Sequence, residues 1–330
     1  MLATGAKVRD EQKPSCDELG SPLAARTDSF LEEDGTRPRA YRIIAVDGDL
    51  GRSSGEWSCT DGVGACASST VALMHTRRQH GLLAVSRSPW KEPCVFLSHL
   101  DVTLQLGESS ISLATHRFPG IEPTRGYERL ASFAQDPLPR WVFRGPGWEL
   151  ERVLGLVRGA SAVVLRHAWR GARPVVLEAR PLLAMRPASE LTREHGGFVH
   201  SARLHANDVV VHPVRALPPV VFRHEGRFVG SPDWWRRFEY RGEQGPGEAQ
   251  EDLWTPGVFR VELQPGAATH LVCGVGAVPA ERPEVLLQQI LDAIRSDRSC
   301  QVGGAHERER QKHSAAIEDD QSLRAAAPTE

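Results

Sequence analysis

The sequence predicts a mainly-β chain folded as a large sandwich, and three observations lead there. Short apolar runs recur from Tyr41 onward, separated by Gly and Pro turns. Several runs alternate with period two, and almost none has helical spacing. Roughly two hundred residues of such runs exceed the ordinary sandwich of about 100 residues, which calls for broad, long-stranded sheets.

Taken in order, residues 1–38 are polar and rich in Asp, Glu, Arg, Gly and Pro, so a disordered N-terminal tail is expected. Residues 39–278 hold the sandwich runs. Among them are Tyr41 to Val46, Cys94 to Leu97, Val102 to Leu106, Trp148 to Val157, Val163 to Trp169 and Val175 to Leu183. Val209 to Val214, Val220 to Phe222, Val258 to Leu263 and Thr269 to Val275 follow. The run from Trp148 places Trp148, Leu150 and Arg152 on one face of a strand. A linker helix is expected within residues 279–298. From Glu281 to Arg295 it has Pro283 in its first turn and Leu287, Ile290, Leu291 and Ile294 at helical spacing. Residues 299–330 form a polar tail.

Composition narrows the function classes. The net charge of −2 offers no basic excess to neutralise phosphates, so no nucleic-acid partner is expected. No apolar run reaches membrane-span length, and the N-terminus has no apolar signal core. Cys16, Cys59, Cys66, Cys94, Cys273 and Cys300 contain no CxxC pair. Free thiols fit a reducing compartment, and a cytoplasmic location is the expectation.

The usual catalytic and cofactor motifs are missing. Gly62-Val63-Gly64 has no third glycine of a dinucleotide fingerprint, and no phosphate-binding GxxxxGK[ST] occurs. His75 and His80 lack the intervening Glu of a metalloprotease, and no GxSxG elbow appears. No cofactor, no metal and no catalytic residue is therefore expected. Two stretches stand out instead. Glu56 to Leu83 ends on Thr76-Arg77-Arg78-Gln79-His80-Gly81, a polar group that is costly to bury without partners. For Arg77, Arg78 and His80, ligand contact and an ion-pair network holding a loop both remain open. Asp233 to Tyr240 interleaves rings with charges, as a sugar site does, although a single Trp is more often core.

These residues together resemble the N-terminal domain of bacterial and archaeal glycogen debranching enzymes of the amylo-α-1,6-glucosidase type. That family's EWLxTNGxGGYASGTVxGxxTRRYHGLL is matched at Glu56-Trp57, Thr60, Gly62, Gly64, Ala67-Ser68, Thr70-Val71, Thr76-Arg77-Arg78 and His80 to Leu83. Arg117 with Pro119-Gly120, Gly126-Tyr127, Asp136-Pro137 with Trp141, and Leu191-Thr192-Arg193-Glu194 follow in order. Asp233-Trp234, Phe238-Glu239-Tyr240 and Glu251-Asp252-Leu253 complete a series spanning about residues 41 to 275. The chain departs from the pattern at Asp61, Cys66 and Gln79, and lacks the YH expected before Leu191.

The resemblance implies a galactose-mutarotase-like supersandwich and a partner in α-glucan, glycogen above all. It also implies that the catalytic acids lie on a separate (α/α)₆ barrel, of which the 299–330 tail would be the start. The chain alone is thus expected to recognise glucan or support a separately encoded barrel rather than hydrolyse. The alternatives are a truncated or split-gene remnant acting as a structural subunit, or a sugar epimerase on a related sandwich. The expected substrate-binding residues are Asp61, Arg77, Arg78 and His80, with Trp234, Glu239 and Tyr240 behind them.

Overall fold

A computed structural model describes residues 44–88, 90–242 and 249–296. The expected tails over 1–38 and 299–330 lie outside the described residues. The first strands are β1 (Ile44–Ala45), β2 (Glu56–Thr60), β3 (Ala65–Thr70), β4 (Gly81–Val85), β5 (Cys94–Leu106) and β6 (Ser109–Ser112). Next come β7 (Leu130–Ala134), β8 (Arg140–Gly145), β9 (Trp148–Val157), β10 (Ala162–Gly171) and β11 (Val175–Pro187). The last are β12 (Ala202–His205), β13 (Asp208–Val211), β14 (Val220–His224), β15 (Arg227–Glu239), β16 (Gln250–Leu263) and β17 (Ala268–Val275).

They form two antiparallel sheets. One runs β1-β7-β8-β9-β10-β17-β14-β13-β12, the other β15-β16-β11-β5-β4-β3-β2, with β6 paired to β5. The main core lies between them, where Leu97, Leu104, Trp141, Leu154, Leu165, Leu183 and Trp254 pack. This is the large sandwich that the strand pattern predicts.

Strand β9 departs from simple alternation. Its outward-facing Glu151 is buried as well, paired with Arg140 at 2.8 Å and Arg166 at 3.0 Å. On its inward face Arg152 donates to His167 Nε2 at 2.9 Å and to the Leu100 carbonyl across the sandwich at 3.0 Å. Glu151 is thus ion-paired by two arginines and Arg152 is hydrogen-bonded, as buried charge requires.

The eight-stranded sheet also buries side chains on part of its outer face. Along β11, Leu177 and Ala179 join the main core while Glu178 and Arg180 point the other way. Further along that outer face, Leu182, Ala184, Val95 and Leu253 form a second core capped by Phe238 and Tyr240. The expected helix is α1, over 283–296, with Leu286, Leu287 and Leu291 buried. It lies against β9 at Gly155, where an added Cβ would sit 2.9 Å from Ile290 Cδ1. No described helix is long and apolar enough to cross a membrane.

Candidate functional site

The Glu56 to Leu83 window folds as the β2–β3 hairpin and the loop into β4. Asp61 holds the hairpin turn: Oδ1 accepts from the amides of Val63 and Ala65, each at 2.9 Å, and Oδ2 from Gly159 at 3.0 Å. Gly64 follows with φ +131, and a Cβ there would meet the Ser86 carbonyl at 2.6 Å. Glycine is required at that position. Asp61 also borders a cleft of about 830 Å³ between this turn, the 135–139 segment and the second half of α1.

Past β3, Thr70 fixes the loop through both its hydroxyl and its carbonyl. The hydroxyl donates to the Met74 carbonyl, and Trp57 Nε1 donates to the Thr70 carbonyl at 2.9 Å. Arg77 Nε and Glu56 Oε1 pair at 2.7 Å, and His80 Nε2 stands 3.8 Å from the same oxygen. That hydrogen bond from Arg77 holds the Glu56 carboxyl below its ordinary range. Arg78 donates to the Ser189 carbonyl at 2.9 Å, and its own carbonyl accepts from Arg186 at 2.7 Å. The structure therefore brings Arg77 and His80 together on Glu56. It sets Asp61 apart at the far end of the hairpin.

Of the remaining expected residues, Tyr240 is tied to this loop through Glu251, Arg186 and the Arg78 carbonyl, while Trp234 and Glu239 take other partners. Trp234 is 5% exposed and packs on Phe198 at 4.5 Å. Tyr240 is 2% exposed, and its hydroxyl donates to Glu251 Oε2 at 2.6 Å. Glu251 also accepts from Arg186 Nη2 at 2.9 Å and from the Thr192 amide at 3.1 Å. Burial and the adjoining carboxylate push the Tyr240 hydroxyl well above its ordinary range. The half-buried Glu239 pairs with Arg241 at 3.4 Å.

Next to that pair lies a feature no short motif announced. Strand β4 pairs with β5 from Cys94 to Leu97, and β6 pairs from Thr103 to Leu106. At the edge of β5 between those ladders, buried rings form a row. His80 lies 5.6 Å from His75, His75 stacks at 3.6 Å on His99, and His99 meets His116 edge-on at 4.7 Å. The row ends on Asp101, whose two oxygens are 2.9 and 2.8 Å from His116 Nε2. Burial first, and neighbouring ring charge second, holds His75 and His99 well below the ordinary imidazole range. Among the described residues His75 Nε2, His99 Nε2 and Thr115 Oγ1 are buried without a hydrogen-bond partner. Such an atom costs about 1–3 kcal/mol. Leu73, Met185 and Arg237, all with left-handed φ (60, 52 and 67), lie in the segments that deliver His75, Arg186 and Phe238. Bulky residues seldom adopt that conformation, and such strain gathers at functional sites.

The row opens into a cleft of about 430 Å³ on the outer face of the eight-stranded sheet. Asp101 and His116 line its floor, and Gln105, Ser110, Glu178 and Trp235 line its walls. Arg180 sits over the Trp235 ring at 5.6 Å. Glu178 is held by Arg260 at 2.9 Å. The cleft thus combines a half-buried aromatic ring with hydroxyl, amide and carboxylate groups. Sequence reasoning named Trp234 of the Trp pair. Adjacent strand residues face opposite ways, so the signal for Trp235 was present in the doublet itself.

Residues 55–270 match the family described as glycogen debranching enzyme N terminal. No curated protein matches the sequence. Among solved structures the chain is similar to a protein described as a kojibiose phosphorylase from human microbiome, at 6% identity and a TM-score of 0.28. That likeness covers 64% of this chain and 28% of the other. A polysaccharide lyase matches at 12% identity and TM-score 0.29, over 58% of this chain and 27% of its own. A heparan sulfate lyase mutant from Pedobacter heparinus matches at 11% and 0.26, over 51% and 22%. The chain spans only about a quarter of the length of these structures.

Proposed function

We propose that this chain, which belongs to the glycogen debranching enzyme N-terminal family, binds α-glucan in the cleft beside Trp235. The observation that carries the reading is the Trp235 ring, backed by Arg180, on the wall of a cleft where Phe118, Ala114 and Val258 alternate with hydroxyl, amide and carboxylate groups. A glucose ring presents apolar C–H faces and a rim of hydroxyls. An aromatic face takes the first, and carboxylate, amide and hydroxyl groups take the second. The cleft volume of about 430 Å³ lies in the range of small-molecule sites. In this reading the buried Arg186–Glu251 pair ties together β11 and β16, two of the strands that line the cleft. The chain supplies substrate positioning, and the acid and base of glycoside hydrolysis belong to another polypeptide segment.

Migration in glycogen-containing native gels tests this. Retardation of the parent and its loss in Trp235→Ala are the expected results, with a dissociation constant raised about tenfold, or about 1.4 kcal/mol. A parent that migrates unretarded removes the binding role.

A second reading, support of a separate barrel, draws on the 830 Å³ cleft beside α1, whose walls include Phe133, Leu138, Leu156, Ile290 and Ile294. An apolar surface of this kind usually serves a partner. Co-purification with an (α/α)₆-barrel protein, lost in Ile290→Asp, is the expected outcome. Binding that survives the substitution contradicts this reading.

A further inference from the structure

The floor of the cleft holds chemistry that glucan binding does not use. His99 and Asp101 alternate on β5, so both project from its outer face, and His116 reaches them from the segment after β6. One ring nitrogen of each His and one Asp101 oxygen all lie within 4.8 Å of one another.

We propose that His99, Asp101 and His116 bind a divalent cation of the zinc class. Four observations carry this beyond mere proximity. His99 is 4% exposed, and its Nε2 has no hydrogen-bond partner among the described residues. The buried Thr115 hydroxyl beside it is equally unpartnered. A small cavity of about 10 Å³, near the least that holds one water-sized particle, has His99, Asp101, Thr115 and His116 on its polar side and leucine, valine and alanine side chains around the rest. Asp101 and His116 also line the open cleft, which gives an ion a way in and leaves a coordination position facing it.

The donor set selects the metal. Calcium and magnesium take oxygen ligands, whereas two imidazoles with one carboxylate suit zinc and its neighbours. Metal–ligand bonds of about 2.0–2.2 Å place tetrahedral ligand atoms roughly 3.3 Å apart. The His116–Asp101 contact of 2.8 Å would open by about half an ångström, the cation replacing the shared proton. Arg152 lines the same cavity, and its charge keeps the affinity below that of a carboxylate-rich site. The inference goes beyond the glucan reading and does not depend on it, because metal binding is measured without glucan.

The test uses the full chain, stripped with chelator and titrated with Co²⁺. One equivalent should develop the visible bands of four-coordinate cobalt, with no thiolate charge-transfer band despite the cysteines, and one equivalent of Zn²⁺ should bleach them. Asp101→Asn and His116→Gln should each weaken binding at least tenfold, while His205→Gln at an exposed strand position leaves it unchanged. If either site variant fails to fold, X-ray absorption on the parent decides: a nitrogen and oxygen shell with two imidazoles supports the site. No band at stoichiometric cobalt, a sulfur ligand, or a band that persists in both folded site variants overturns it.

Discussion

Arg186 and Arg77 show how differently two arginines near the same loop bear on stability. Arg186 is buried on a buried Glu251 and also holds the Arg78 carbonyl. Removing it leaves an uncompensated interior charge, so Arg186→Met should lower stability by about 3–5 kcal/mol in urea unfolding. Arg77 and Glu56 are both more than two-fifths exposed, and Arg77→Ala should cost less than about 1 kcal/mol. Equal losses would contradict this division of roles. His167 gives the pH dependence a sign. Burial, and then the charge of Arg152, hold its folded value well below the ordinary 6.5. The unfolded chain takes up a proton as pH falls through about 6.5 while the folded chain does not, so stability declines below that pH and levels off above it. His167→Gln should flatten the slope between pH 6.5 and 5 by up to about 1.4 kcal/mol per unit. An unchanged slope would show that His167 protonates in the folded state.

Among the elements, α1 was legible in the sequence and the histidine row was not. Pro283 and the spacing of Leu287, Ile290, Leu291 and Ile294 are local signals, and tertiary packing agrees with them. The packing adds Gly155, whose missing side chain lets the helix settle on β9. Gly155→Val should push Ile290 and Leu287 outward and cost about 1–3 kcal/mol. Faster amide exchange confined largely to 286–296 would report it, and unchanged protection there would refute the packing. The histidines come from the loop after β3, from β5 and from the segment after β6. Only strand pairing brings them together, and no short-range pattern encodes that. The Trp pair lies between these cases. Alternation separates Trp234 from Trp235, but the register shift between Trp235 and Phe238 obscures which one faces inward.

For the whole molecule, the sandwich was readable because alternation and turns recur along most of the chain, and the motif series marked the family. The site was harder to read. Asp61, Arg77 and His80 are conspicuous in sequence, yet the structure occupies them with a hairpin turn and a Glu56 cluster. The open cleft instead draws on β5, β6, β11, β15 and β16, five strands scattered across some 160 residues of sequence. The most direct test of the account compares Trp235→Ala with Arg77→Ala for glycogen affinity in native gels. The parent and Arg77→Ala should both be retarded, and Trp235→Ala should run free. Retardation that survives in Trp235→Ala and is lost in Arg77→Ala would place the binding surface on the hairpin loop and contradict it.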